Sequence, residues 1–427
     1  MTVQAGRAYL AASALGAANT ANSIQPFGRR GRASVLGFGP GVLTSELPLQ
    51  TIGWQALTTL GFARAGALRD WRGKLGLALS IGSWAGLARL HQGAVASAAV
   101  LEQALVNELG ADYATRYATT VVPAESSPLT RRQIALPNRG GRRRYSSARG
   151  ISYGDSGYRN TLDVWRRADL PADGGAPVLL QVHGGAWVIG DKREQGGPLM
   201  GMLAERGWVC VAINYRLSPR ATWPDHIADV KRAIAWTKAH IHEFGGDPSW
   251  IAITGGSAGG HLSSLAALSA NEPAFQPGFE DVDTTVQAAV PFYGVYDWTN
   301  RDGSGRSDME DFLGRAVLKT KLADDRERWE QASTMSWVRR DAPPFFVLHG
   351  VNDSLVPVEQ ARSFVDMLRK DSDQPVVYAE LPYAQHAFEI FSSVRAVHSI
   401  RAVERFLAVA RGAGAGIQGG HPRPSTA

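Results

Sequence analysis

The sequence predicts an α/β fold: a mostly parallel central sheet with helices on both faces, preceded by a helical N-terminal region. Three observations lead there. Short apolar runs alternate with longer helix-compatible segments across residues 145–410, the pattern of a parallel sheet. One run, 250–254, passes straight into a small-residue segment, 260–270, through Gly255-Gly256-Ser257-Ala258-Gly259. The first 150 residues differ in charge, with 17 Lys and Arg against 6 Asp and Glu, where the remainder has 28 against 33.

The elements follow in order. After a hairpin, strands are expected at 178–182 and 208–214, then a helix at 224–243. The strand at 250–254 leads through the serine turn into its helix, and another strand covers 286–292. The polar stretch 297–333 is too long for a simple connection. It reads as a largely helical insertion that walls a pocket. Strands at 345–348 and 376–381 and a helix at 394–409 close the fold. The segment from Gly412 (GAGAGIQGGHPRPSTA) is low in complexity, so residues 411–427 are expected to be a disordered tail.

The pentapeptide around Ser257 fits G-x-S-x-G. A strand that turns at once into a helix forces its turn residue into a strained conformation. Small neighbours, Gly255 and Gly259 among them, let the chain pass close by, and the hydroxyl is pushed out at a helix N-terminus, as in a nucleophile elbow. Taken alone, the same residues also fit a glycine-rich turn with an N-capping serine. An acyl-transfer serine further needs a base, an acid to orient the base, and an oxyanion hole. Asp353 follows the strand at 345–348 and His386 the strand at 376–381, in the chain order Ser, Asp, His. Asp341 is a rival acid, but it precedes its strand. His349 reads as a strand-end histidine and His261 as helix packing. Upstream, the strand at 178–182 runs into His183-Gly184-Gly185-Ala186, a variant of the HGGG motif. The N–H groups of Gly185, Ala186 and Ala258 are expected to form the hole. Trp187 fits either the pocket wall or the core.

With these residues in place, the chain from 145 to 410 resembles an α/β-hydrolase of the hormone-sensitive-lipase-like esterase group. The resemblance is carried by HGGAW (183–187), NYRLSP (214–219), FGGDPSWIAITGGSAGGH (244–261), PFYGVYDW (291–298), HGVNDSLVP (349–357) and Gln385-His386-Ala387-Phe388. LDVWRR (162–167) and PVEQARSFV (357–365) make it similar to the Lip-type carboxylesterases of mycobacteria. That resemblance implies hydrolysis of carboxylic esters with short to medium acyl chains, through a serine nucleophile and without metal or organic cofactor. Ala186 departs from the third glycine of HGGG. An amidase or formamidase, or an acyltransferase, would use the same triad. A catalytically silent binding module is the reading from another class, and the intact set of residues argues against it. The base must be neutral to work, so the working pH is expected above the histidine value, which is about 6.5 when unperturbed.

Composition bounds the rest. Hydrophobic residues make up 44%, which fits a globular chain. The single cysteine, Cys210, lies in an apolar run, so the fold needs no intramolecular disulfide. Metal-ligand spacings and phosphate loops are absent from the sequence. Residues 1–144 form the basic extension. Within it, two apolar stretches, 52–68 and 75–88, suggest two helices with basic ends. The stretch 75–88 is too short to span a bilayer, which takes about 20 residues. Two readings stay open: a cap lying on an anionic membrane surface through residues 50–110, or a helical subdomain packed over the hydrolase. The Asn138–Gly141 and Arg142-Arg143-Arg144 segment marks the linker. Nucleic-acid binding is not supported, because no aromatic residues are interleaved with the basic ones. Arg7 and the alanine-rich run at 8–18 are too weakly hydrophobic for a signal peptide. The expected site of action is the cytoplasm or the periphery of the membrane or cell envelope. The expected substrate is a small-molecule or lipid ester, and the oligomeric state is left open.

Overall fold

The computed structural model describes residues 2–28, 31, 33–117 and 142–416 of the 427-residue chain. Segment 138–141 of the expected linker and the tail beyond 416 lie outside the described residues. Eight strands form one sheet: β1 (Ser146–Ser152), β2 (Thr161–Trp165), β3 (Ala176–Val182), β4 (Val209–Ile213), β5 (Gly246–Gly256), β6 (Ala288–Phe292), β7 (Phe345–Gly350) and β8 (Val376–Leu381). Their order is β1-β2-β4-β3-β5-β6-β7-β8. The first two pairings are antiparallel and the other five parallel. Residues of β3 and β4 are buried throughout, as expected of parallel strands covered on both faces.

Register sets the site. Val182 at the end of β3 pairs with Gly255 of β5, and Gly256 pairs with Phe292 at the end of β6. The carboxyl ends of three strands therefore meet where open α/β sheets place their ligands. One face of the sheet packs against α6 (Asp225–His240), α7 (Ala258–Leu268) and α9 (Val358–Asp371). The other packs against α5 (Gly197–Glu205) and α10 (Val394–Gly416). Cys210 is buried in β4.

Three segments differ from expectation. In the N-terminal region the two expected helices are present as α3 (Pro48–Arg64) and α4 (Trp71–Leu109), and two more long helices precede them, α1 (Thr2–Ile24) and α2 (Ala33–Glu46). The 75–88 stretch is the first part of the 39-residue α4. Alanine and the straight-chain residues beyond it carry the helix on, because nothing there breaks it. The alanine-rich run at 8–18 lies in α1, packed along α4. The 297–333 insertion is helical only at 309–318 and in α8 (Arg326–Ala332). Asx turns occupy part of the rest: Asp297 accepts from Thr299 N and Arg301 N, and Asp302 from Ser304 N. α10 continues past 409 to Gly416, so residues 411–416 of the expected tail are helical. Ala413 and Ala415 carry the helix on through the glycines between them, and the first proline comes only at 422.

The N-terminal helices are fastened by polar groups to α10, to the residue before it and to β8. Glu46 and Arg395 form a fully buried ion pair, and Ser393 Oγ donates to the same carboxylate at 2.8 Å. Glu102 accepts from Arg405 and from Tyr113. Glu108 accepts from the edge amide Val376 N at 2.9 Å. Removing one partner of a buried pair strands the other charge. Glu46→Ala is therefore expected to cost about 3–5 kcal/mol, and Glu46→Leu combined with Arg395→Met to recover most of it. Urea-denaturation midpoints of the three proteins check this.

Candidate active site

Ser257 sits between β5 and α7 with φ 59° and ψ −119°, a conformation that costs energy in a non-glycine residue. The surroundings leave no alternative path. A side chain at Gly259 would come within 2.2 Å of the Val182 carbonyl oxygen, and one at Gly255 within 2.6 Å of it. Both positions must therefore be glycine for β3, β5 and α7 to meet. Ser257 N donates to Phe292 O at 3.0 Å. From 251 to 269, Ser257 is the sole residue that is not buried.

Asp353 and His386 come together as expected. His386 Nδ1 and Asp353 Oδ2 are 2.7 Å apart, and both residues are buried. The other oxygen, Oδ1, accepts from Leu355 N and Val356 N at 2.8 Å each. His349 Nε2 lies 3.4 Å from Asp353 Oδ2 and 3.0 Å from the Val356 carbonyl. Burial alone would raise the Asp353 carboxyl, but His386 and His349 hold it well below the usual carboxylate range. The rival acid Asp341 is exposed and lies 3.5 Å from Arg339.

Several residues with no role legible in the sequence assemble this arrangement. Gln385 Oε1 accepts from Ser354 N at 2.7 Å and from His386 N at 2.9 Å, tying the two loops together. The Tyr293 ring lies 4.4 Å from the His386 ring. Its hydroxyl closes on Gly256, where an added Cβ would meet it at 2.7 Å. One side chain thus touches the residue before Ser257 and the histidine. The Tyr293 hydroxyl donates to the buried Glu389, whose carboxyl is raised chiefly by burial. From the N-terminal region, Phe38 of α2 meets His386 edge-on, with centroids 5.9 Å apart. Gln385 and Tyr293 were legible as parts of quoted motifs, Gln385-His386-Ala387-Phe388 and PFYGVYDW, but Glu389 and Phe38 had no periodic or spacing signal.

The loop after β3 is shaped by its own turn. Gly185, Ala186 and Trp187 have φ of 122°, 51° and 61°. Gly184 N donates to Gln195 Oε1 at 2.7 Å. Among the described residues, Gly185 N and Ala186 N donate to no protein acceptor, and both residues are partly exposed. Ala258 is the first residue of α7, so its N–H has no intrahelical partner. His183 holds the loop, with Nδ1 2.8 Å from Gly184 O and its ring stacked on Tyr215 at 4.4 Å. Trp187 is core: it is buried, bonds His261 Nδ1 at 3.2 Å and packs against Trp298. His261, bonded also to Ala332 O at 2.7 Å, is helix packing as expected.

The strained serine turn at the carboxyl end of a parallel sheet, with an acid after β7 and a histidine after β8, is the architecture of an α/β-hydrolase. Residues 162–368 match the BD-FAE family. The chain is 50% identical over 410 residues to the probable carboxylic ester hydrolase LipM of Mycobacterium tuberculosis, covering 93% of this chain and 92% of that one. It is 44% identical over 395 residues to the esterase LipQ of the same organism, covering 92% and 88%. A thermophilic esterase from Thermogutta terrifontis superposes with TM-score 0.54 at 24% identity, over 66% of this chain and 97% of that one. Its butyrate-bound form gives 0.50 at 26%, over 63% and 93%. The chain belongs to the Lip-type esterases, within the hormone-sensitive-lipase-like group of α/β-hydrolases, and is a carboxylic ester hydrolase.

Burial lowers the buried histidines around this site: His183 to about 4, and His226 and His261 to about 3. Each is neutral in the fold but takes up a proton near its ordinary value once unfolded. Their contribution is complete above about pH 6.5 and is lost progressively as pH falls towards the folded values. At pH 5 the expected loss is on the order of 2 kcal/mol for each histidine. Urea midpoints at pH 7.5 and 5.0 are expected to differ less for His261→Gln than for wild type.

Proposed function

We propose that this esterase works through Ser257, His386 and Asp353 as nucleophile, base and orienting acid. The observation that carries the reading is the 2.7 Å His386–Asp353 bond, set one tyrosine ring away from the strained Ser257 turn. Asp353 accepts from Nδ1, which leaves Nε2 as the lone-pair nitrogen. Ser257 Oγ attacks the ester carbonyl carbon as His386 Nε2 takes its proton. The carbonyl oxygen becomes an oxyanion, held by Gly185 N, Ala186 N and Ala258 N. The tetrahedral intermediate expels the alcohol, which leaves with the histidine's proton. Water then repeats the sequence on the acyl-enzyme and frees the acid.

The substrate we infer is an ester of short to medium acyl chain. Phe38 against His386 supports this, because it closes one side of the site with a flat apolar ring. The butyrate-bound relative accommodates such a chain. Residues before 145 act as the cap and the residues from 145 as the catalytic unit. The basic excess of the cap supports its contact with an anionic membrane surface. No helix among the described residues is long and apolar enough to cross a membrane.

Ser257→Ala is expected to abolish turnover of p-nitrophenyl esters and labelling by a fluorophosphonate probe, without change in the circular dichroism spectrum. Retained labelling would remove Ser257 from the mechanism. Phe38→Ala is expected to shift the chain-length optimum upwards on a C2 to C16 ester series. An unchanged profile would place Phe38 outside the acyl site.

A further inference from the structure

The N-terminal helices are packed with their polarity reversed. The residues that α1 buries are Gly6, Tyr9, Ser13, Thr20, Asn22 and Ser23. The first half of α4 meets them with Gly73, Gly76, Ser80 and Ser83. Hydroxyls join the two: Tyr9 to Ser80 at 3.2 Å, Ser80 to Ser13 at 3.0 Å, Thr20 to Ser83 at 2.8 Å. α3 joins through Thr59, which accepts from Tyr9 at 3.0 Å. The large apolar side chains point the other way. Leu15 is 66% exposed, Trp54 72%, Leu57 65% and Trp71 61%. On α3 the exposed positions include Leu49, Gly53, Ala56, Leu57 and Leu60, at helical spacing.

The reversal is confined to this part of the chain. Beyond residue 86, α4 buries Leu87, Leu90, Leu101 and Leu105 completely and exposes Gln92, Gln103 and Asn107, as a water-facing helix does. One helix thus follows two rules in its two halves. In water, packing hydroxyls while leaving Leu and Trp outside forgoes about 25 cal/mol for each Å² of apolar surface left exposed. Against lipid that loss vanishes, and helices associate through small residues and hydroxyl bonds instead. The charges point the same way. Arg7, Arg64, Arg69 and Lys74 are exposed. The acids of residues 2–86 are Glu46, buried against Arg395, and Asp70, paired with Arg72.

We propose that α1, α3 and the first half of α4 insert their outer face into one leaflet of an anionic bilayer, with Trp54 and Trp71 at the headgroup boundary. This deepens the membrane-surface reading above, replacing adsorption by charge with contact between protein and acyl chains. It does not depend on the triad. The test uses the full chain and vesicles of phosphatidylcholine with phosphatidylglycerol, in flotation and in tryptophan quenching by brominated acyl chains. Wild type is expected to float with the vesicles, to remain bound in about 0.5 M NaCl, where surface charges are screened, and to be quenched more than Trp54→Phe. The triple variant Trp54→Ser, Leu57→Ser, Trp71→Ser is expected to lose partitioning about tenfold or more, while hydrolysing p-nitrophenyl acetate like wild type. Binding that salt reverses, without quenching, would overturn insertion but leave surface adsorption. Absence of flotation would overturn both. A wild-type dimer in light scattering that becomes a monomer in the triple variant, with no flotation, would overturn the proposal by assigning the face to a second copy of the chain.

Discussion

The site depends on one close approach. The carbonyl of Val182 lies where side chains on Gly255 and Gly259 would have to be. That absence of side chains lets β3, β5 and α7 converge, so the chain between β5 and α7 can turn only through a strained Ser257. It also sets the loop after β3 against the N-terminus of α7, where a side chain on Gly184 would meet Ser257 Cβ at 3.3 Å and one on Gly259 the His183 carbonyl oxygen at 2.8 Å. A single methyl group at 255 or 259 would push apart everything that the proposed chemistry needs together.

The residues of that site were legible because their constraints are local. A strained turn needs glycines at fixed offsets, and an acid and a histidine must follow strand ends. Ser257, Asp353 and His386 lie where those rules put them, and Asp353 with His386 forms the 2.7 Å pair. What positions them was not legible. Tyr293 stood in a quoted motif, but its bond to Glu389 spans 96 residues of sequence and Phe38 reaches His386 from another element, and no spacing records such meetings. Trp187 fitted two roles equally well until its indole found His261.

The N-terminal region was harder to read for a physical reason. Periodicity finds a helix by assuming that its apolar side faces the protein. Here α1 and the first half of α4 face the protein with serine, threonine and glycine. Their apolar residues then look like scattered surface positions, or like a weak leader in the alanine-rich run. The 39-residue length of α4 was hidden for the same reason. Its polarity changes side near Leu87, so no single stripe runs through it.

The end of α1 has a consequence for how the molecule responds as a whole. The amide of Asn352 donates to the carbonyls of Ser23 and Ile24 at 2.8 Å each, groups that the end of a helix leaves without partners. The next residue is Asp353. The end of α1 and the acid loop thereby share two hydrogen bonds, and any coupling that they carry is reciprocal. Whatever free energy orders α1 on the hydrolase is shared with the loop that holds the carboxylate. Loosening α1 at its last turn would strip Asn352 of both acceptors, one residue away from the carboxylate.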